Sequence, residues 1–125
     1  MKINVGIFQY KMRNESPLRR VKRLESQLQN NKKIDLIVCP ELFLSGYGSF
    51  SKIKEHCETS TGEFAQNISL LAKKYSTAIL YGYPEIKSDN LFNSAQFINK
   101  EGFSLVNHRK KMLPPTADES KIFKP

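Results

Sequence analysis

The chain has 125 residues, 39% of them hydrophobic and 26% charged, and carries a formal net charge of +8 from 20 Lys and Arg against 12 Asp and Glu. That length suits one small domain, and the composition excludes a disordered chain or a membrane-embedded one; with no apolar run near the roughly 20 residues a bilayer demands and no signal-like start, the expected location is the cytoplasm. The basic residues fall in scattered groups (Arg19-Arg20, Lys22-Arg23, Lys32-Lys33, Lys73-Lys74, Arg109-Lys110-Lys111) without interleaved aromatics, which disfavours a nucleic-acid partner, and Cys39 and Cys57 make neither a metal-ligand spacing nor a disulfide framework.

In Ile3 to Phe8 apolar residues alternate, which predicts a mostly buried first strand. Ser16-Pro17 then supplies a cap and a first helical residue. Leu18, Val21, Leu24 and Leu28 recur at spacings of three and four, predicting an amphipathic helix of about a dozen residues that ends at Asn30-Asn31. Leu36 to Cys39 is an aliphatic run with the character of a strand buried on both faces. Pro40 cannot donate to a ladder, so the strand stops there and Glu41 stands at its carboxyl end, where open α/β sheets bind ligands.

Ser45 to Ser49 is a glycine-containing loop, and a weak helical patch runs from Ile53 to Cys57. Ser60-Thr61-Gly62-Glu63 opens a clearer helix with Phe64, Ile68, Leu71 and Tyr75 on one stripe, and Lys73 and Lys74 suit the negative end of its dipole. Thr77 to Tyr83 is the next buried strand, closed by Pro84-Glu85. Phe92 to Ile98 and Phe103 to His108 form a hairpin through Asn99-Lys100-Glu101-Gly102. Met112 to Pro125 carries three prolines and no period, and is predicted as loop. The alternation of strand and helix indicates a mixed sheet, parallel first and antiparallel at its far edge.

Glu41, Lys110 and Glu119 are the charged residues at or just beyond strand ends, and a carboxylate beside a cation offers a general base and a group to stabilise an oxyanion. Taken alone, such a pair is more often a structural ion pair. The segments Pro40-Glu41-Leu42-Phe43-Leu44-Ser45-Gly46-Tyr47, Gly82-Tyr83-Pro84-Glu85, Phe92-Asn93-Ser94-Ala95 and His108-Arg109-Lys110-Lys111-Met112-Leu113-Pro114, in that order, resemble the nitrilase superfamily of carbon–nitrogen hydrolases. The resemblance covers nearly the whole chain and implies an α/β fold, the nitrilase-like αββα sandwich. It also implies a Glu-Lys-Cys triad acting on small amides or nitriles without cofactor or metal. Glu41 matches the general base, Lys110 the lysine that binds the oxyanion, and Glu119 the second glutamate, which helps to position substrate and lysine. Strand alternation directs Lys111 to the opposite side from Lys110.

Two departures are of degree: His108 stands where tyrosine is usual and Met112 where histidine is common. The large departure is that the family's nucleophilic cysteine, which lies beyond the lysine motif, has no match. Cys39 is two residues before Glu41, so on an extended strand both side chains share a face; yet inside an apolar run burial raises a thiol's pKa.

Residues 1–125 are therefore expected to form a single partial hydrolase domain, roughly the first half of the sandwich, with helices on one face of a mixed sheet. The expected function is a truncated amidase- or nitrilase-like hydrolase of a non-peptide C–N bond, inactive alone. The alternatives are a split enzyme completed by a second chain carrying the cysteine, and a non-catalytic binding remnant. At about 25 cal/mol per Å², leaving a few hundred Å² of apolar sheet uncovered removes several kcal/mol. The isolated chain is thus expected to be marginal, homo-oligomeric, or completed by a carboxyl-terminal partner chain.

Overall fold

The structure, a computed structural model, describes residues 2–9, 11, 13–31, 33–115 and 118–125. Tyr10 beside the predicted first strand, Lys32 of a basic doublet, and Thr116 and Ala117 of the predicted closing loop lie outside the described residues. The elements run β1 (Val5–Ile7), α1 (Pro17–Asn30), β2 (Leu36–Val38), α2 (Phe50–Glu55), α3 (Glu63–Tyr75), β3 (Ala78–Lys87), β4 (Asn90–Ile98), β5 (Ser104–Arg109) and α4 (Glu119–Ile122). All five strands form one sheet in sequence order. β1, β2 and β3 are parallel, and β3, β4 and β5 antiparallel, as the strand–helix alternation indicates.

α1 starts as its sequence predicts: Ser16 accepts at Oγ from Arg19 N, and Pro17 occupies the first turn, where a missing N–H costs nothing. α3 is capped differently from the serine and threonine before it. The Glu58 carboxylate takes the Phe64 and Ala65 amides, each at 2.9 Å, satisfying donors that have no partner within the helix.

Register decides which face is core. Ile37 pairs with Ile79 and Ile79 with Ile98, so these share a face with Tyr81 and Tyr83, two and four residues on. On it pack Leu24 and Leu28 of α1 and Phe64, Ile68 and Leu71 of α3. Phe8, Phe43, Phe64, Tyr81 and Tyr83 form an aromatic row with successive centroids 5.7, 5.9, 5.5 and 5.5 Å apart.

The opposite face carries Val5, Ile7, Leu36, Val38, Leu80, Phe97 and Val106. There the structure corrects the expectation of a mostly buried first strand: Val5 is 54% and Ile7 72% exposed. The cause is parity, because Ile3, Val5 and Ile7 all point away from α1 while the covered side receives Gly6 and Phe8. For the same reason β2 is half-buried at Leu36 and Val38 rather than buried on both faces.

β3 runs past the expected stop at Pro84. The amides and carbonyls of even-numbered β3 residues point away from β4, as in Cys39 N to Leu80 O (2.8 Å) and Glu58 N to Pro84 O (3.1 Å), so the N–H that Pro84 lacks is not one β4 needs. A small second cluster of Leu42, Ile53, Leu91 and Phe123 closes the far end of the sheet. No helix among the described residues is long and apolar enough to cross a membrane.

The two faces should respond differently to truncation. Leu24→Ala, at a fully buried site, is expected to cost about 2–5 kcal/mol in urea unfolding. Val5→Ala is expected to cost less than about 1 kcal/mol. Equal costs would place the core wrongly.

Candidate active site

The carboxylate of Glu41 is delivered by a turn rather than by a strand. After Cys39 the ladder ends at Pro40, Leu42 adopts a positive φ of 50°, and Gly46 N donates to Leu42 O at 2.7 Å. The turn lies directly on β3, with Leu44 N reaching Gly82 O at 3.3 Å. Only glycine permits that approach: a Cβ on Gly82 would stand 2.6 Å from Leu42 N and 2.9 Å from Glu41 Cα.

Lys110 follows β5, and its amide extends the ladder by donating to Asn93 O at 2.8 Å. Arg109 pairs with Ser94 and His108 with Ala95, so alternation sends Lys110 to the uncovered face, on the side of His108. Lys111 instead lines a different cleft, beside Glu85 and Arg109.

Glu119 opens α4, in a stretch expected to be loop. One turn of four residues is too short to display a helical period, which is why the sequence pattern is silent. The turn is held by Phe123 N to Glu119 O (2.7 Å), by Lys124 N to Leu91 O (2.8 Å), and by burial of Phe123 among Leu42, Ile53 and Leu91. Leu42 is adjacent to Glu41, so the same apolar cluster seats both glutamates.

The three expected residues converge. Lys110 Nζ lies 3.0 Å from Glu41 Oε1 and 3.0 Å from the Glu119 carboxylate. Asn93 Nδ2 donates to Glu41 Oε1 at 2.6 Å and stands 3.5 Å from Glu119 Oε2, while the Tyr47 hydroxyl donates to Glu41 Oε2. Glu119 is 7% exposed, whereas the Glu41 side chain retains 42% of its surface in a cleft of about 240 Å³ that Asn93, His108 and Lys110 also line.

Burial pushes the Glu41 carboxyl up, but the hydrogen bonds from Tyr47, Lys110 and Asn93 and the Lys110 charge outweigh it, leaving its pKa below the ordinary value. Burial pulls the Lys110 amine down, and its bonds to Glu119 and Glu41 more than reverse this, so it is held as ammonium. Burial and the Glu41 carboxylate both raise the Tyr47 hydroxyl, which remains a donor.

Asn93 and Tyr47 fall within the resembling motifs, but the motifs do not mark them as site residues. The signal for Asn93 is compositional: an amide within the strand Phe92 to Ile98, where asparagine is disfavoured, needs a polar partner. Tyr47 gives no such signal, since an aromatic after a glycine loop is common.

Neither cysteine meets the carboxylates as a thiolate. Cys39 also lines the Glu41 cleft, but it is buried and packs in the helix-covered core, where burial pushes its thiol far up. Cys57 donates its Sγ–H to Lys54 O at 3.0 Å and packs against the Leu42 cluster; burial raises it too. Among the described residues no three His, Cys, Asp or Glu side chains assemble as metal donors.

Residues 4–125 match the carbon–nitrogen hydrolase family. A protein of Pseudomonas protegens described as a hydrolase in the pqqF 5′ region is 35% identical over 120 residues, covering 94% of this chain and 42% of that one. The protein N-terminal amidase of Saccharomyces cerevisiae is 32% identical over 91 residues, covering 67% of this chain and 19% of the yeast protein. Among solved structures, an N-terminal amidase with a Gln-Val peptide superposes with a TM-score of 0.82 at 23% identity, covering 98% of this chain and 30% of its own. A carbon–nitrogen hydrolase of Helicobacter pylori superposes at 0.81 and 22% identity, with coverages of 98% and 44%. The nitrilase-like fold is thereby shown for the described sheet and helices. The chain spans less than half the length of these relatives.

Two outcomes follow from the geometry. Gly82→Ala should push the Glu41 turn off β3, and in a carboxyl-carbon NMR titration Glu41 should then move up toward its ordinary pKa; an unmoved titration contradicts the close approach. Glu41 has a folded pKa below its unfolded one, so its pairing adds stability above the ordinary carboxylate range that is lost as pH falls through the folded value. For a site this open the contribution is about 1 kcal/mol or less. The stability difference between wild type and Glu41→Gln, followed by urea unfolding, should accordingly shrink from pH 7 to pH 3.

Proposed function

The chain belongs to the carbon–nitrogen hydrolase family, and on that premise we propose that residues 1–125, as one partial hydrolase domain, carry the acid–base half of a site that hydrolyses small amides or nitriles. The observation that supports this most is the Lys110 ammonium 3.0 Å from both the Glu41 and Glu119 carboxylates, on the face of the sheet that carries no helices.

The roles follow from the chemistry. A thiol brought to this face loses its proton to Glu41, and the thiolate attacks the substrate carbonyl carbon. The oxyanion that forms is met by Lys110, which its two carboxylates keep protonated and aimed. Collapse of the tetrahedral adduct breaks the C–N bond, and the amine or ammonia leaves with the proton from Glu41. Water then adds to the thioester with Glu41 again taking the proton, releasing the acid and the thiol. Glu119 stays with the lysine. Covering the half-open site adds to the burial of Glu41 and raises its pKa toward a base of use near neutrality.

The nucleophile is not among these residues in reactive form, so the 125-residue chain is inactive alone. The exposed apolar row Val5, Ile7 and Val106 favours completion, since an uncovered sheet face of this kind calls for an apolar partner. That partner is either further chain continuous with this one or a separate polypeptide bearing the cysteine. A non-catalytic binding remnant has no such observation behind it. Both cysteines are free, which fits a reducing, cytoplasmic location.

Assay of the purified chain for ammonia release from a panel of primary amides and nitriles should give no turnover. Turnover abolished by Glu41→Gln would contradict the inactivity and show that a thiol within the chain reaches the site.

A further inference from the structure

Lys110 lies at the end of an edge strand whose side chains are exposed along nearly its whole length, and beside its own bonds to Asn93 O, Glu41 and Glu119 a second grip holds that end from the other face. Arg109 donates from Nε to Glu85 Oε2 (3.0 Å) and from Nη2 to Glu85 Oε1 (2.6 Å), a two-pronged grip that fixes direction as well as distance. Its guanidinium also lies 4.0 Å from the centroid of the Phe92 ring.

The same carboxylate accepts from Ser94 Oγ at 2.7 Å and Asn107 Nδ2 at 3.0 Å, so Glu85 on β3 gathers donors from β4 and from two positions of β5. Glu85 is only 3% exposed. Burial by itself would raise its pKa; the bonds from Arg109, Ser94 and Asn107 reverse that and hold it at about 2. A buried charge that accepts four hydrogen bonds is costly to move, and it ties three strands together.

We propose that Glu85 is a positioning residue for Lys110: by clamping Arg109 and Asn107 beneath the sheet it fixes the end of β5, so that the next side chain along emerges on the opposite face within reach of Glu41 and Glu119. This rests on reading Glu41 and Lys110 as the working pair. Alternation transmits the constraint, because Arg109 and Lys110 share a rigid peptide and point to opposite sides. Glu85 touches neither substrate nor reacting atoms, and its effect reaches the site only through the backbone of β5.

The test is NMR titration of Glu41 and Lys110 in Glu85→Gln, an isosteric change that removes the charge. The clamp predicts that Glu41 moves up and Lys110 down toward their ordinary pKa values, with loss of the Lys110 ammonium signal from its protected position. Leu24→Ala, destabilising but remote, should leave both titrations where they are. If Glu85→Gln does not fold, Arg109→Gln and Arg109→Lys decide: the glutamine variant should show the same shifts, and lysine, which keeps the charge, should restore part of them. Unchanged titrations in a folded Glu85→Gln, or in both Arg109 variants, overturn the proposal. Neither readout depends on turnover, so an activity later found to be independent of Glu41 would refute the functional reading without deciding this one.

Discussion

A single ammonium between two carboxylates is the constraint on which this structure depends. Glu41 and Glu119 both touch Lys110, and Asn93 reaches toward both. Without the cation, the Glu41 and Glu119 carboxylates would converge with no positive charge between them. With it, Glu41 remains a proton acceptor and Lys110 remains a cation across the neutral range. The cluster therefore sets protonation states before any substrate arrives, which is the condition for electrostatic stabilisation without reorganisation.

Holding three groups together from positions 41, 110 and 119 takes separate devices. The Glu41 turn is set by close approach at Gly82, where even a methyl would collide with backbone. Glu119 is seated by one apolar cluster, in which Phe123 and Leu42 meet. Lys110 is set by register, through the Asn93 carbonyl on one side and the Glu85–Arg109 grip on the other. The sheet serves as a ruler whose helix-covered face provides rigidity and whose open face presents the Glu41–Lys110–Glu119 cluster.

Much of this is legible in the chain itself. The period of Leu24 and Leu28, the Ser16-Pro17 start and the proline after Cys39 all have local causes, and the structure follows them. What escapes is non-local. Nothing near Ile3, Val5 and Ile7 says which side a helix will cover, so an apolar strand read as buried is exposed. Pro84 reads as a strand end because the direction of its missing N–H is known only once β4 is paired. The turn at Glu119 depends on Phe123 finding Leu42, some eighty positions away. The hydrogen bonds of Asn93 and Tyr47 to Glu41 join segments whose proximity only the register creates. The convergence of Glu41, Lys110 and Glu119 is legible only through motif order and not through any physical signal of their own, since Glu and Lys at strand ends are common.

The most direct test of the account supplies what the cluster lacks. The 125-residue chain would be mixed with a separately expressed carboxyl-terminal stretch of the Pseudomonas protegens relative, and ammonia release from a primary amide followed. The account predicts turnover in the mixture, none from either piece, and its loss in Lys110→Ala. A mixture that turns over equally well with Lys110→Ala would contradict the claim that this ammonium and its two carboxylates are the acid–base half of the site.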